Sequence, residues 1–267
     1  MKNSKLIWVG SDHTFVDEID VTRVQNVTVG RLGGNSEAGS YKNEDGCLVW
    51  VNQAENWEFT MILDGHKTAQ SVELVIKQFL RNENEIKRVL SESAGPALKK
   101  LDHLILDIFQ DPDFMESCRN TTGETACLIV VRKEKYVWWF SVGDCIFHLF
   151  HPELIALGER QLVQRSFYEW VGEVNTFELP VPCYSTGKKE MRKGLNHIFM
   201  TTDGLTECPG VPFEDAAEIQ NVLSDIGLDD GVSFLLDEIK RNGVRDSTTI
   251  IAWSIEIEET ASLPSDL

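Results

Sequence analysis

Apolar runs rich in β-branched and aromatic residues recur along this chain, and each has an acidic residue at one end. Phe59-Thr60-Met61-Ile62-Leu63 ends in Asp64-Gly65-His66. Tyr136 to Val142 ends in Gly143-Asp144, and His197-Ile198-Phe199-Met200 ends in Thr201-Thr202-Asp203-Gly204. Glu44-Asp45 stands just before Cys47 to Val51, and Asp246 just before Thr248 to Ile255. Runs of this length and composition read as strands. Strand ends laid side by side gather the acids into one cluster. Bare carboxylates repel each other unless a cation sits among them. The pattern therefore points to a hard-metal site, and with it to chemistry on phosphate.

Helical periodicity marks three further elements. From Thr68 to Leu80 the apolar positions Val72, Val75, Ile76, Phe79 and Leu80 follow the i, i+3, i+4, i+7, i+8 spacing. Leu98, Leu101, Leu104, Ile105 and Ile108 do the same between Ala97 and Phe109. A third helix is expected from about Val232 to Arg241, with Asp229 or Asp230 near its start and Gly243 past its end. Cys127 to Val131, Tyr136 to Val142 and Ile146 to Phe150 read as strands, and Arg132-Lys133-Glu134-Lys135 as the turn between the first two. The N-terminal run to Gly10 is too short for a signal peptide and reads as a first strand. Strands and helices are segregated along the chain, which favours an α+β layered domain over an alternating parallel sheet. No linker or repeat interrupts it. The expectation is one domain over residues 1–257 and an acidic, fraying tail over 258–267.

The segment Pro152 to Lys193 is the least regular. It carries Arg160, Arg165, Lys188, Lys189, Arg192 and Lys193 beside Tyr168 and Trp170. It reads either as a mobile flap beside a site or as a solvated connector with one helix near Gln161 to Trp170. In Trp138-Trp139, strand alternation sends one ring into the core and the other outward.

A net charge of −18 argues against nucleic acid, whose phosphates need a basic surface. No apolar stretch approaches the roughly 20 residues of a membrane helix. The six cysteines form no C-x-x-C pair, and three (Cys47, Cys127, Cys145) lie in or beside apolar runs, as reduced buried thiols do. A cytoplasmic setting follows. His13, His103, His148, His151 and His197 show no ligand spacing and read as structural. Ser185-Thr186-Gly187-Lys188-Lys189 is no phosphate loop, because Pro182 stands where a glycine is required.

A two-metal site holds its cations roughly 3.5–4 Å apart and acidifies a bridging water. Mg²⁺ and Mn²⁺ take oxygen ligands and keep several waters, so a few convergent acids suffice. At this point a family resemblance enters. Asn43-Glu44-Asp45, Asp64-Gly65-His66, Gly123-Glu124-Thr125-Ala126, Gly143-Asp144, Thr202-Asp203-Gly204 and Arg245-Asp246-Ser247-Thr248-Thr249 resemble, in order, the motifs of the PP2C-type metal-dependent protein phosphatases. The resemblance runs from about Val27 to Ile257.

It implies a four-layer β-sandwich flanked by helices on both faces, with a binuclear Mn²⁺ or Mg²⁺ site at one end. It implies hydrolysis of phosphoserine and phosphothreonine in proteins by a metal-bridged water, without a phosphoenzyme. By motif, Asp64 bridges the metals, Gly65 offers its carbonyl, and Asp203 and Asp246 hold one ion. Asp45 holds the other, directly or through water, with Glu44 as the alternative. Asp144 matches the position that in some relatives helps bind a third, weaker metal. His66 matches a position proposed as general acid.

The chain also departs from that pattern. Three residues before Asn43, where the family usually carries a phosphate-gripping arginine, stands Ser40. Lys42 or Arg31 is then the candidate phosphate contact, although lysine offers a point charge and no fork. Two other functions stay open on this ground. One is a PP2C-like module that binds metals or phosphoproteins and turns over poorly. The other is a phosphatase for small phosphate esters. The sequence carries no signal for oligomeric state.

Overall fold

Alternate side chains along the strands enter two different cores, and that requires a layer on each face. In the computed structural model, which describes residues 4–262, the strands are β1 (Lys5–Val9), β2 (Asp20–Val24), β3 (Val27–Leu32), β4 (Gly46–Asn52), β5 (Trp57–His66), β6 (Glu124–Lys133), β7 (Tyr136–Val142), β8 (Ile146–Phe150), β9 (Val171–Gly172), β10 (Ser185–Glu190), β11 (Gly194–Thr201) and β12 (Thr248–Ile257). One antiparallel sheet has the order β1-β4-β5-β6-β7-β10, with β9 paired to the start of β6. The other runs β2-β3-β12-β11-β8. The helices are α1 (Gln70–Arg81), α2 (Glu83–Leu90), α3 (Ala94–Phe109), α4 (Pro112–Arg119), α5 (Pro152–Ala156), α6 (Ala216–Ile226) and α7 (Leu228–Arg241).

The layers follow from the alternation. On β4, Cys47, Val49 and Val51 face the opposite sheet, while Leu48 and Trp50 face α1 to α3. On β12, Ile251 and Trp253 enter the inter-sheet core, while Ile250 and Ala252 pack under α6 and α7. The result is helices, sheet, sheet, helices, as expected for an α+β sandwich. Because both faces of each sheet are covered, the strands read as nearly continuous apolar runs. Phe109 of α3 meets Phe79, Phe114, Phe140 and Phe177 with ring centroids 5.0–6.1 Å apart. Each such burial contributes roughly 1.5–3 kcal/mol.

Several expectations need correction. Helix α1 starts at Gln70, two residues after Thr68, and α7 starts at Leu228, four before Val232. The β6–β7 turn is only Glu134-Lys135, since Lys133 still pairs with Tyr136. Trp139 does not point outward. It packs on the inter-sheet core beside Phe147, while Trp138 enters the helix-side core and donates to Asp102. No helix forms at 161–170. There the chain runs beside β8, with Leu149 N donating to Arg160 O and Leu162 N to Phe147 O. The C-terminal end is tied down further than expected. β12 extends to Ile257, Glu259 pairs with Lys135 at 2.9 Å, and Ser262 N donates to Glu190. Of the expected tail, residues 263–267 lie outside the described residues. Among the described residues no helix is long and apolar enough to cross a membrane.

Candidate metal centre

Two glycines bring the acid-bearing loops together. A Cβ on Gly65 would collide with the Glu44 carbonyl and with Val72. Its absence lets the chain before β4 lie against the end of β5, so Glu44-Asp45 sits beside Asp64. A Cβ on Gly204 would overlap the Ser247 carbonyl and the Thr248 hydroxyl. The turn after β11 can therefore close on the start of β12, which sets Asp203 beside Asp246. In both cases the Asp-Gly pair serves close backbone approach.

Asp45 is the deepest acid of the cluster, at 1% exposure. Its Oδ2 accepts hydrogen bonds from the Thr249 hydroxyl at 2.7 Å and the Thr202 hydroxyl at 3.2 Å. Thr202 also accepts from Thr249 N at 2.9 Å, so the ends of β11 and β12 hold this carboxylate together. Glu44 lines the cleft above it and pairs with Lys42. Asp246 is exposed at the rim, with Oδ1 accepting from Ser247 N.

Asp144 and Asp203 share one cation. Arg165 lies 3.5 Å from Asp144, 3.4 Å from Asp203 and 2.6 Å from Glu207. The irregular segment thus reaches the acid cluster through Arg165. It reaches it again through Trp170, whose ring lies 4.5 Å from the His66 ring. Burial pushes the Asp64 carboxyl well above the ordinary carboxylate range, and the charges of Asp203, Asp45, Asp246 and Asp144 push it further. Burial raises Asp45 as well, against the opposing Thr249 hydrogen bond, and Asp246 and Asp203 add to the shift. Asp203 is pushed up to about 7, by burial first and then by Asp246, Asp144 and Glu207, with Arg165 opposing. Burial also raises Asp144, again against Arg165.

No protein-family model matches the sequence, and no curated protein does. Solved structures do match. A bacterial serine phosphatase aligns with 88% of this chain and 99% of its own, at 18% identity and a TM-score of 0.63. RsbX in complex with magnesium aligns with 89% of this chain and 100% of its own, at 17% identity and 0.59. The catalytic domain of the serine/threonine phosphatase PstP, in complex with two manganese ions, aligns with 80% of this chain and 92% of its own, at 16% and 0.56. The fold is that of the PP2C-type phosphatases.

Within this PP2C fold the sequence-expected acids Asp45, Asp64, Asp144, Asp203 and Asp246 fall at one end of the sandwich, with Gly65 and His66 beside them. Whether a divalent ion suits them can be judged from their free atoms. Asp64 Oδ2 and Asp144 Oδ1 are buried with no hydrogen-bond partner. An unpaired buried carboxylate oxygen is costly, and a hard cation removes that cost. Among the described residues no three His, Cys, Asp or Glu side chains are arranged to hold a metal ion. Mg²⁺ and Mn²⁺ retain waters and accept so open a set of oxygens. The residues fit such ions.

The expected phosphate contacts fare differently. Arg31 is buried at 5% exposure, paired with Asp20, with its guanidinium over the rings of Trp8 and Phe15, so it is no phosphate contact. Lys42 lines the cleft, but its ammonium is engaged by Glu44 and by the Lys67 carbonyl at 2.9 Å. Ser40 is turned inward, its hydroxyl donating to Gly33 O at 2.5 Å. Sequence reasoning missed the roles of Arg165, Glu207, Thr202 and Thr249. The only signal for Arg165 was the surplus of cations in the irregular segment.

Proposed function

We propose that this chain is a Mn²⁺- or Mg²⁺-dependent phosphatase for phosphoserine and phosphothreonine in proteins, acting in the cytoplasm. The observation that carries this reading is the convergence of four aspartates around Asp64 at the floor of one cleft, two of the five with buried oxygens that no protein group satisfies. Two bound ions would supply an acidified water as nucleophile and positive charge for the phosphate oxygens. Asp64, Asp45, Asp203 and Asp246 would hold them, and Asp144 a third, weaker one. The overall step adds water across the P–O bond. Phosphorus gains the water oxygen, and the serine or threonine oxygen leaves and takes a proton. His66, braced against Trp170 at the cleft wall, holds a proton for that leaving oxygen. The cleft of about 370 Å³ is open, which suits a side chain presented by a protein.

The test is hydrolysis of a phosphoserine peptide by metal-stripped protein while Mn²⁺ or Mg²⁺ is titrated. We expect metal-dependent turnover that Asp64→Asn reduces at least a thousandfold while melting at least as high without metal, because a buried like charge is gone. Full activity in Asp64→Asn would sink the assignment.

A second reading, a phosphoprotein-binding module with weak turnover, draws on Ser40 and on the engagement of Lys42. Ser40→Arg separates the two. A large gain in kcat/KM marks a catalyst lacking its phosphate grip, whereas no change means that another group already provides it.

A further inference from the structure

Besides the buried Arg31, four cationic side chains among the described residues stand near the acid cluster, and three are engaged. Lys42 is held by Glu44 and the Lys67 carbonyl. Lys67 pairs with Glu124 at 3.3 Å and Glu173 at 3.1 Å. Arg165 is held by Glu207, Asp144 and Asp203. Of these four, Arg245 alone has neither an ion pair nor a side-chain hydrogen bond among the described residues, and it lines the same cleft as Asp64, His66 and Asp246.

Its backbone is nevertheless fixed. Asn35 N donates to Val244 O at 2.7 Å, and Asn35 Nδ2 donates to Lys240 O at 3.2 Å. The Arg245 carbonyl presses on Gly34, at φ +80°, on the face that the Ser40 hydroxyl also approaches. A Cβ at Gly34 would overlap that carbonyl, so glycine is required there on both counts. Arg245 and Ser40 are thus neighbours across Gly34, on loops tied to each other. An exposed guanidinium on a pinned loop, next to an acid expected to hold a metal, is placed to fork onto two oxygens of a phosphoryl group.

We infer that Arg245 is the phosphate-gripping residue of this cleft, taking the role from the loop opposite Ser40. Its ligand is the dianionic phosphoryl group of a phosphomonoester, or inorganic phosphate as product. The inference rests on the reading of the cleft as a phosphomonoester site. A bidentate charge-assisted pair accounts for a 10- to 100-fold change in affinity, by a contribution of about 1.5–3 kcal/mol.

The experiment is calorimetric titration of inorganic phosphate into the Mg²⁺-loaded full chain. It compares the unmodified protein with Arg245→Ala, Arg245→Lys and the double variant Arg245→Ala/Ser40→Arg, alongside KM for a phosphoserine peptide. We expect Arg245→Ala to weaken phosphate binding 10- to 100-fold with an unchanged melting temperature. Arg245→Lys should recover only part of the loss, and Ser40→Arg should restore binding in the double variant. Phosphate affinity indifferent to Arg245→Ala, or no phosphate binding by the unmodified chain, overturns the inference. If phosphate binding depends on Arg245 yet the peptide is not hydrolysed, the phosphatase reading falls and the grip stands. If hydrolysis is lost in Asp64→Asn and phosphate binding ignores position 245, the reverse holds.

Discussion

Two kinds of buried ionisable residue sit within a few strands of each other, and the fold treats them in opposite ways. His148 lies on β8 at 3% exposure, stacked on Phe150 at 5.3 Å and near Phe199. Burial drives its pKa down to about 4, so the fold keeps it neutral. The aspartates are instead pushed up, and need protons or a cation. For His148 the folded pKa is depressed, so its stabilising effect is complete above about pH 6.5 and is lost as pH falls toward 4, on the order of 3 kcal/mol in full. His148→Phe removes a group that must stay uncharged. Its melting temperature relative to the unmodified chain should therefore rise between pH 7.5 and pH 5, and a pH-independent difference would contradict the assignment. From sequence the histidine reads as structural, because it has no ligand-like spacing. Its burial against two phenylalanines was not legible, because Phe199 lies on a different strand.

At the scale of elements, the site depends on how closely the turn after β11 approaches the start of β12. Gly204→Ala places a methyl group on the Ser247 carbonyl. The loops must part, which should cost about 1–3 kcal/mol in stability and weaken metal binding together with it. Thermal melts with and without Mn²⁺ would read both, and an unchanged metal-induced shift would mean that this approach does not set the site. The elements themselves were unevenly legible. The amphipathic stripes of α1 and α3 are long and regular, and the strand runs are continuous because both sheet faces are covered. α2 and α4 are only eight residues each, and α2 follows α1 after the single residue Asn82, too short for a clear stripe. The region 161–170 has helix-compatible residues, but pairing with β8 and the left-handed Tyr168 (φ 69°) override them. Local pattern cannot reveal such tertiary pairing. The acid-tipped strand ends were visible for the opposite reason. Each Asp-Gly or Glu-Asp pair borders its own strand, so the cluster follows once the strands are aligned. The placement of Arg165, which depends on contacts 21 to 42 residues away along the chain, does not.

For the whole molecule, like charges are crowded at one end of a well-packed sandwich. Asp45, Asp64 and Asp203 have folded pKa values above their unfolded ones. Their contribution to stability is therefore complete below the ordinary carboxylate range and is lost as pH rises through the raised folded values, about 7 for Asp203. A divalent ion replaces those protons, so Mn²⁺ should stabilise the chain more at pH 8 than at pH 5. The most direct measurement is calorimetric titration of Mn²⁺ into the metal-stripped chain at both pH values, beside Asp64→Asn. Two ions should bind per chain at pH 8, more weakly at pH 5, and at least one should be lost in the variant. Binding that is absent at pH 8, or identical in Asp64→Asn, would contradict a metal centre built on these aspartates.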